Sequence, residues 1–162
     1  MIGKKNDAPL SPLGLNFVGG LLHHAAALSG AGSPTVNSYK RLQPGSWSPA
    51  HACWGVGNRA ALVRIPGMGA RRHVEFRSGD NSCSPYIFLG SLLAAGLDGI
   101  QNNIKAPEPV LDDVGHLSDA EVAARGLIYI PRTAETALNA LESNKTNRAA
   151  IGNTILDEFL KV

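Results

Sequence analysis

The sequence predicts an α+β chain, and three observations carry that expectation. Apolar residues recur at helical spacing near the amino terminus, and again from about residue 84 to the end. Between those regions lie three short runs of β-type composition, 51–56, 60–65 and 73–77, separated by glycine-containing turns. With 162 residues, 44% of them hydrophobic and 17% charged, the chain is large enough for one globular domain. A self-contained domain of that size buries roughly 70% of its unfolded surface.

The elements follow in order as one continuous unit without an internal repeat. A helix is expected over 11–30, where Ser11 can cap, Pro12 suits the first turn and apolar residues run from Leu13 to Leu28. His23 and His24 are adjacent, so they point in different directions on a helix and read as ordinary helix surface. Ser-Gly-Ala-Gly-Ser-Pro at 29–34 ends that helix, and a loop continues through Pro44-Gly45. The three β-type runs, joined at Gly57-Asn58 and Pro66-Gly67-Met68-Gly69, read as an antiparallel meander over about 51–77. On the last run, a period of two places His73, Glu75 and Arg77 on one face and Val74 and Phe76 on the other. A long apolar helix over 84–102 follows, then a Pro-Glu-Pro linker. Shorter amphipathic helices are expected over 118–123, 133–142 and 148–160, with Thr133 as a cap.

Charge is distributed unevenly. Residues 1–79 carry nine basic and two acidic side chains, whereas residues 80–162 carry six and eleven. Between Asp7 and Asp80 the single acid is Glu75, among Lys40, Arg41, Arg59, Arg64, Arg71, Arg72 and Arg77. Guanidinium groups left without neighbouring carboxylates suit a polyanion, and a lone carboxylate inside that field could ligate a divalent cation. The plainer reading is a basic face with one salt-bridged Glu. Cys53 and Cys83 have no metal-site spacing and read as buried thiols of a reducing cytoplasm. The amino terminus has no apolar core of a signal peptide, and no apolar run reaches the length of a membrane span. Few aromatics interleave with the basic residues, so neither nucleic acid nor membrane is an expected partner. There is no Gly-x4-Gly-Lys-Ser/Thr loop, and the Gly-x-Gly turns at 55–57 and 67–69 are weak signals.

A set of motifs in register is far more specific. Asn37-Ser-Tyr-Lys-Arg-Leu-Gln-Pro-Gly45 is followed by Asn58-Arg59, Leu62-Val-Arg-Ile-Pro66 and Val74-Glu-Phe-Arg77. Asp80, Pro85-Tyr86 and Ala94-Ala-Gly-Leu-Asp-Gly-Ile100 continue the series. From about Gly14 to its end the chain resembles the carboxy-terminal part of the catalytic domain of the glutamine synthetase family. By that resemblance residues 1–162 form a partial catalytic domain, with the β-grasp domain and the upstream metal-binding segment not included.

The resemblance implies ATP-dependent ligation of glutamate and ammonia to glutamine through γ-glutamyl phosphate, in the cytoplasm, by rings of self-associated subunits. It implies that Arg41 and Arg77 bind glutamate. Arg59 and Arg64 bind ATP, with Arg59 catalytic as the γ-phosphoryl group moves, and Glu75 ligates Mg2+ or Mn2+. That chemistry agrees with the charge pattern, because phosphoryl transfer depends on positioning and charge neutralisation. Three positions depart from the family pattern. Trp47 stands where ammonia-using members commonly carry a Glu, which points either to another amine, such as a polyamine or methylamine, or to a Trp that packs in the loop while another group serves as base. His73 stands where many members have an ATP-contacting Arg. Val114-Gly-His-Leu117 replaces the segment that holds an adenylylated tyrosine in some members. The 162 residues alone are expected to be inactive, and a non-catalytic binding or interaction fragment is the remaining alternative.

Overall fold

In a computed structural model, residues 10–67 and 71–161 are described, so residues 1–9, 68–70 and Val162 lie outside the described residues. The order is α1 (Pro12–His23), α2 (Ala25–Gly32), α3 (Ser38–Arg41), β1 (His51–Val56), β2 (Ala61–Ile65) and β3 (Glu75–Phe76). The helices α4 (Pro85–Gln101), α5 (Asp119–Ala124), α6 (Ala134–Ser143), α7 (Lys145–Ile151) and α8 (Asn153–Phe159) follow. The α+β class is therefore observed. Ser11 caps α1 through the amide of Gly14, at 3.2 Å, and Thr133 caps α6 as its position suggests.

Helix α1 packs on α4, and α2 lies between α6 and α4. The first crossing is close because both helices present glycine there. A Cβ on Gly20 would sit 2.1 Å from the Ala95 carbonyl oxygen, and one on Gly99 2.2 Å from that of Asn16. The expected single helix over 11–30 breaks at His24. That residue is 7% exposed, not a surface histidine. Its Nε2 lies 2.9 Å from Asp98 Oδ2 and its Nδ1 2.9 Å from Asn144 Nδ2, tying the α1–α2 junction to α4 and to the cap of α7. The expected helix over 148–160 also divides, at Gly152, whose φ of 88° is costly for a side-chain-bearing residue.

The sheet has the order β1-β2-β3. Pairing of β2 with β3 is antiparallel as expected, but β1 and β2 run parallel, which corrects the meander. Parallel neighbours ordinarily need a long crossover. Here residues 57–60 make it, because Asn58 turns back across the strand end instead of closing a hairpin. Its Nδ2 donates to the carbonyls of Val110 and Asp112, each at 2.9 Å, and its Oδ1 accepts from Ala60 N at 2.8 Å. Gly55 leaves the space this needs, since a Cβ there would lie 2.9 Å from Asn58 Cβ and 2.1 Å from the Val110 oxygen. The outer edge of β1 is covered by residues 128–130, through Ala52 N to Ile128 O and Ile130 N to Ala50 O. Only residues 75–76 of the expected 73–77 run are strand.

The main core joins Val18, Leu21 and Leu28 of the first two helices to Leu62, Val63 and Ile65 of β2. One face is left apolar and open. Leu89, Leu93 and Leu97 of α4 are each more than half exposed, beside a cleft of about 660 Å3 lined by Phe17, Val74, Phe76 and Phe88. Among the described residues no helix is long and apolar enough to cross a membrane.

Two measurements test this account. Asn58→Ala strands two carbonyls and one amide, and is expected to cost about 2–3 kcal/mol in urea unfolding. The second concerns His51, which is fully buried against Tyr129, with neither ring nitrogen partnered among the described residues. Burial, and then the charge of Arg132, push its imidazole below the ordinary value of 6.5. The unfolded chain thus binds the extra proton, so stability is full above about pH 6.5 and falls below it, by up to about 1.4 kcal/mol per pH unit. His51→Phe is expected to flatten unfolding free energy between pH 7.5 and 5.5, and an unchanged slope would refute the assignment.

Candidate functional site: arginines around Glu75

The β2–β3 register sets Arg64 directly opposite Glu75 and Val63 opposite Phe76. Because side chains alternate across a sheet, the charged pair shares one face and the apolar pair turns to the core. Arg64 Nη1 lies 3.3 Å from Glu75 Oε2, and Arg77 Nη1 lies 2.7 Å from Glu75 Oε1. Each carboxylate oxygen therefore has its own guanidinium partner. The three side chains retain 18–32% of their surface exposure, so the charges are only partly screened and still open to a ligand. Arg64 Nε also donates to the Gly57 carbonyl, at 3.3 Å, and Arg77 Nη2 to that of Trp47, at 3.2 Å. Arg77 Nε is buried without a partner among the described residues.

Arg41 extends this track. It leaves the end of α3 and donates from Nη1 to Ser48 Oγ at 3.0 Å, and from Nη2 to the carbonyls of Ser78 and Gly79. Ser33 Oγ holds the same Ser78 carbonyl at 2.7 Å, so the segment after β3 is fixed from both sides. Asp80 lies within reach of the Arg41 charge. Burial would raise its carboxyl, but hydrogen bonds from Ser38 and Ser82, together with Arg41, outweigh burial and hold it below the usual range.

The structure thus brings Arg64, Glu75 and Arg77 together, and places Arg41 beside them across the loop at 47–48. Arg59 stands apart: it is exposed, and among the described residues it makes no hydrogen bond or ion pair. It shares a hollow with the Trp47 side chain. His73 is exposed, with Nδ1 2.9 Å from the Arg71 carbonyl, and it lines the apolar cleft with Arg72. Sequence reasoning missed Ser48 and the Trp47 carbonyl, which link Arg41 and Arg77 to the loop, since no motif marks a backbone acceptor.

Among the described residues no group of three or more His, Cys, Asp or Glu gathers to hold a metal ion. Glu75 is a single carboxylate donor. That fits an ion such as magnesium, which is held by one or two carboxylates together with substrate phosphates and water. Two arginines around one carboxylate leave an excess positive charge, and Arg41 beyond the loop adds to it, offset in part by Asp80. The arrangement can hold a polyanion.

An α+β segment that gathers several arginines around one carboxylate is suited to hold a polyanion. The chain belongs to the glutamine synthetase catalytic-domain family, whose model matches residues 1–162. It is 39% identical to the glutamine synthetase of Methanococcus maripaludis over 156 residues, covering 94% of this chain and 34% of that protein. Against the Thermotoga maritima glutamine synthetase it is 40% identical over 159 residues, covering 94% and 36%. A solved GmaS/ADP complex superimposes with a TM-score of 0.84 and 32% identity, covering 99% of this chain and 37% of that one. The chain therefore spans about a third of the length of these relatives.

Glu75→Gln leaves two half-buried guanidinium groups without a counter-ion. It is expected to lower unfolding free energy by about 1–2 kcal/mol at low salt. The difference should shrink in 0.5 M salt, read from paired urea titrations.

Proposed function

We propose that these residues are the carboxy-terminal part, 1–162, of the catalytic domain of an ATP-dependent carboxylate–amine ligase. The reaction is the joining of glutamate and ammonia to glutamine through γ-glutamyl phosphate, in the cytoplasm, by a self-associating enzyme. The observation that supports it most is the carboxylate of Glu75 bracketed by Arg64 and Arg77, in a chain of this family. The open apolar cleft beside α4 supports a reading in which further protein packs on this segment.

In this reading Arg64 and Arg59 take the phosphates of ATP, and Arg59 neutralises charge as the γ-phosphoryl group moves to the glutamate γ-carboxylate. Arg41 and Arg77 hold glutamate. As phosphates and substrate carboxylates become the counter-ions of the arginines, Glu75 is released to ligate Mg2+ or Mn2+. The ion supplies further neutralisation of phosphate charge when bound. The amine then displaces phosphate from the acyl phosphate. A second reading, ligation of a larger amine than ammonia, is favoured by Trp47, whose side chain is 84% exposed and cannot act as a base.

The site is assigned to the whole protein, so the 162 residues with ATP, Mn2+ and hydroxylamine are expected to give no γ-glutamyl hydroxamate above blank. Robust turnover would contradict the shared-site reading. Arg64→Ala is expected to weaken ATP binding by the chain about tenfold or more in equilibrium dialysis, the worth of one or two charged hydrogen bonds. Unchanged ATP affinity would count against the nucleotide role.

A further inference from the structure

Residues 127–132 run along the outer edge of β1 with few ties to it. Ala52 N donates to the Ile128 carbonyl at 2.7 Å, and Ile130 N to the Ala50 carbonyl at 3.0 Å. Ile130 is 2% exposed and anchors the segment in the main core, whereas Ile128 is 71% exposed and adds little. At the amino end stands Gly126, whose φ of 63° suits glycine and gives the segment a pivot. An element held by two backbone hydrogen bonds and one apolar anchor can open locally, below the cost of global unfolding.

The remaining tie is an imidazole. His51 of β1 is bridged to Tyr129 in an antiparallel pairing, with the two ring centroids 4.6 Å apart. The His51 side chain is fully buried, and among the described residues neither ring nitrogen has a partner. A neutral ring tolerates that position, but an imidazolium without an acceptor or water does not. The surrounding groups offer the proton no compensation. Arg132 lies over Tyr129, with Cζ 3.9 Å from the ring centroid, and after burial its charge is what further disfavours a proton on His51. Asp119 of α5 accepts from Tyr129 Oη at 2.6 Å, which raises the phenol and keeps it neutral, while Glu121 is engaged in the capping box with Ser118. The Cys53 thiol, pushed up to about 11 by burial, is neutral too. From β2 the partner of His51 is Ala61, and α1 carries no titratable side chain before His23.

We propose that His51 makes residues 127–132 an acid-released latch: protonation of the buried ring expels this segment from the β1 edge while the rest of the fold stays closed. Once Tyr129 has moved away, the imidazolium reaches water. The Ala50 carbonyl and the Ala52 amide then form an open strand edge, able to pair with another extended chain. The closed form binds fewer protons than the open one, so the latch is shut above about pH 6.5 and loosens as pH falls. Against an ordinary imidazole value of about 6.5 in the open form, opening gains up to about thirtyfold by pH 5.0. None of the residues assigned to ligation takes part.

Hydrogen exchange of the full chain, at pH 7.5 and 5.0 and corrected for the intrinsic pH dependence of amide exchange, tests this. Protection of the Ala52 and Ile130 amides is expected to fall about ten- to thirtyfold at pH 5.0. At that pH their exchange should depend only weakly on added urea, while the β2 amides exchange more slowly and with the full urea dependence of global unfolding. A change of less than threefold at Ala52 and Ile130, or their exchange in step with the β2 amides at every urea concentration, would overturn the latch. His51→Phe keeps an aromatic ring against Tyr129 and should make the same two amides indifferent to pH; a pH response as large as in the unsubstituted chain would also overturn it. The comparison within the unsubstituted chain stands without the variant, so a failure of His51→Phe to fold leaves the test intact.

Discussion

One carboxylate held between two guanidinium groups organises the charged half of this fold. Without Glu75, the partly buried guanidinium groups of Arg64 and Arg77 would have no anion between them. With it, both guanidinium groups are held at one carboxylate before any ligand arrives. That preorganisation is useful to a site that neutralises phosphate charge, because little reorientation is left for the moment of binding. The same arrangement makes an entering polyanion a competitor of Glu75. Under the proposed function the displaced carboxylate would ligate the metal ion, which would link phosphate and metal binding through one exchange of partners.

The support for that cleft comes from two quite different kinds of packing. Beneath it, Val63 and Ile65 anchor β2 in an apolar core, so Arg64 cannot turn inward. Beyond the sheet, helices α1 and α4 meet through Gly20 and Gly99, close enough that no larger residue fits. His24 then joins that pair to the cap of α7 through Asp98 and Asn144. A polar bridge of this kind gives direction, where apolar contact alone gives only proximity.

Much of this was legible in the sequence where the cause is local. The caps at Ser11 and Thr133, the α4 helix, and the alternation that separates Glu75 and Arg77 from Val74 and Phe76 all follow from neighbouring residues. What was not legible depends on distant partners. The parallel β1–β2 pair exists because Asn58 reaches carbonyls 52 and 54 positions away. His24 reads as helix surface until Asp98 and Asn144, 74 and 120 positions away, are placed beside it. Arg64 was singled out by resemblance, but its pairing with Glu75 required the strand register. Arg59 belongs to the same category, because Leu111 and Asp113, which share its hollow, lie more than fifty positions away in sequence.

That crossover has a consequence for how the protein can change. From Val56, beside Ile65, the chain must return to Ala61, beside His51, within four intervening residues. Such a span leaves almost no slack in a polypeptide. Its length therefore works as a ruler for the cleft. Removing a residue would drag β2 along its neighbours, and a slip of one position would exchange Arg64 for Val63 or Ile65 on the charged face. Elsewhere insertions and deletions merely reshape loops, but here residue count itself is part of the site's chemistry.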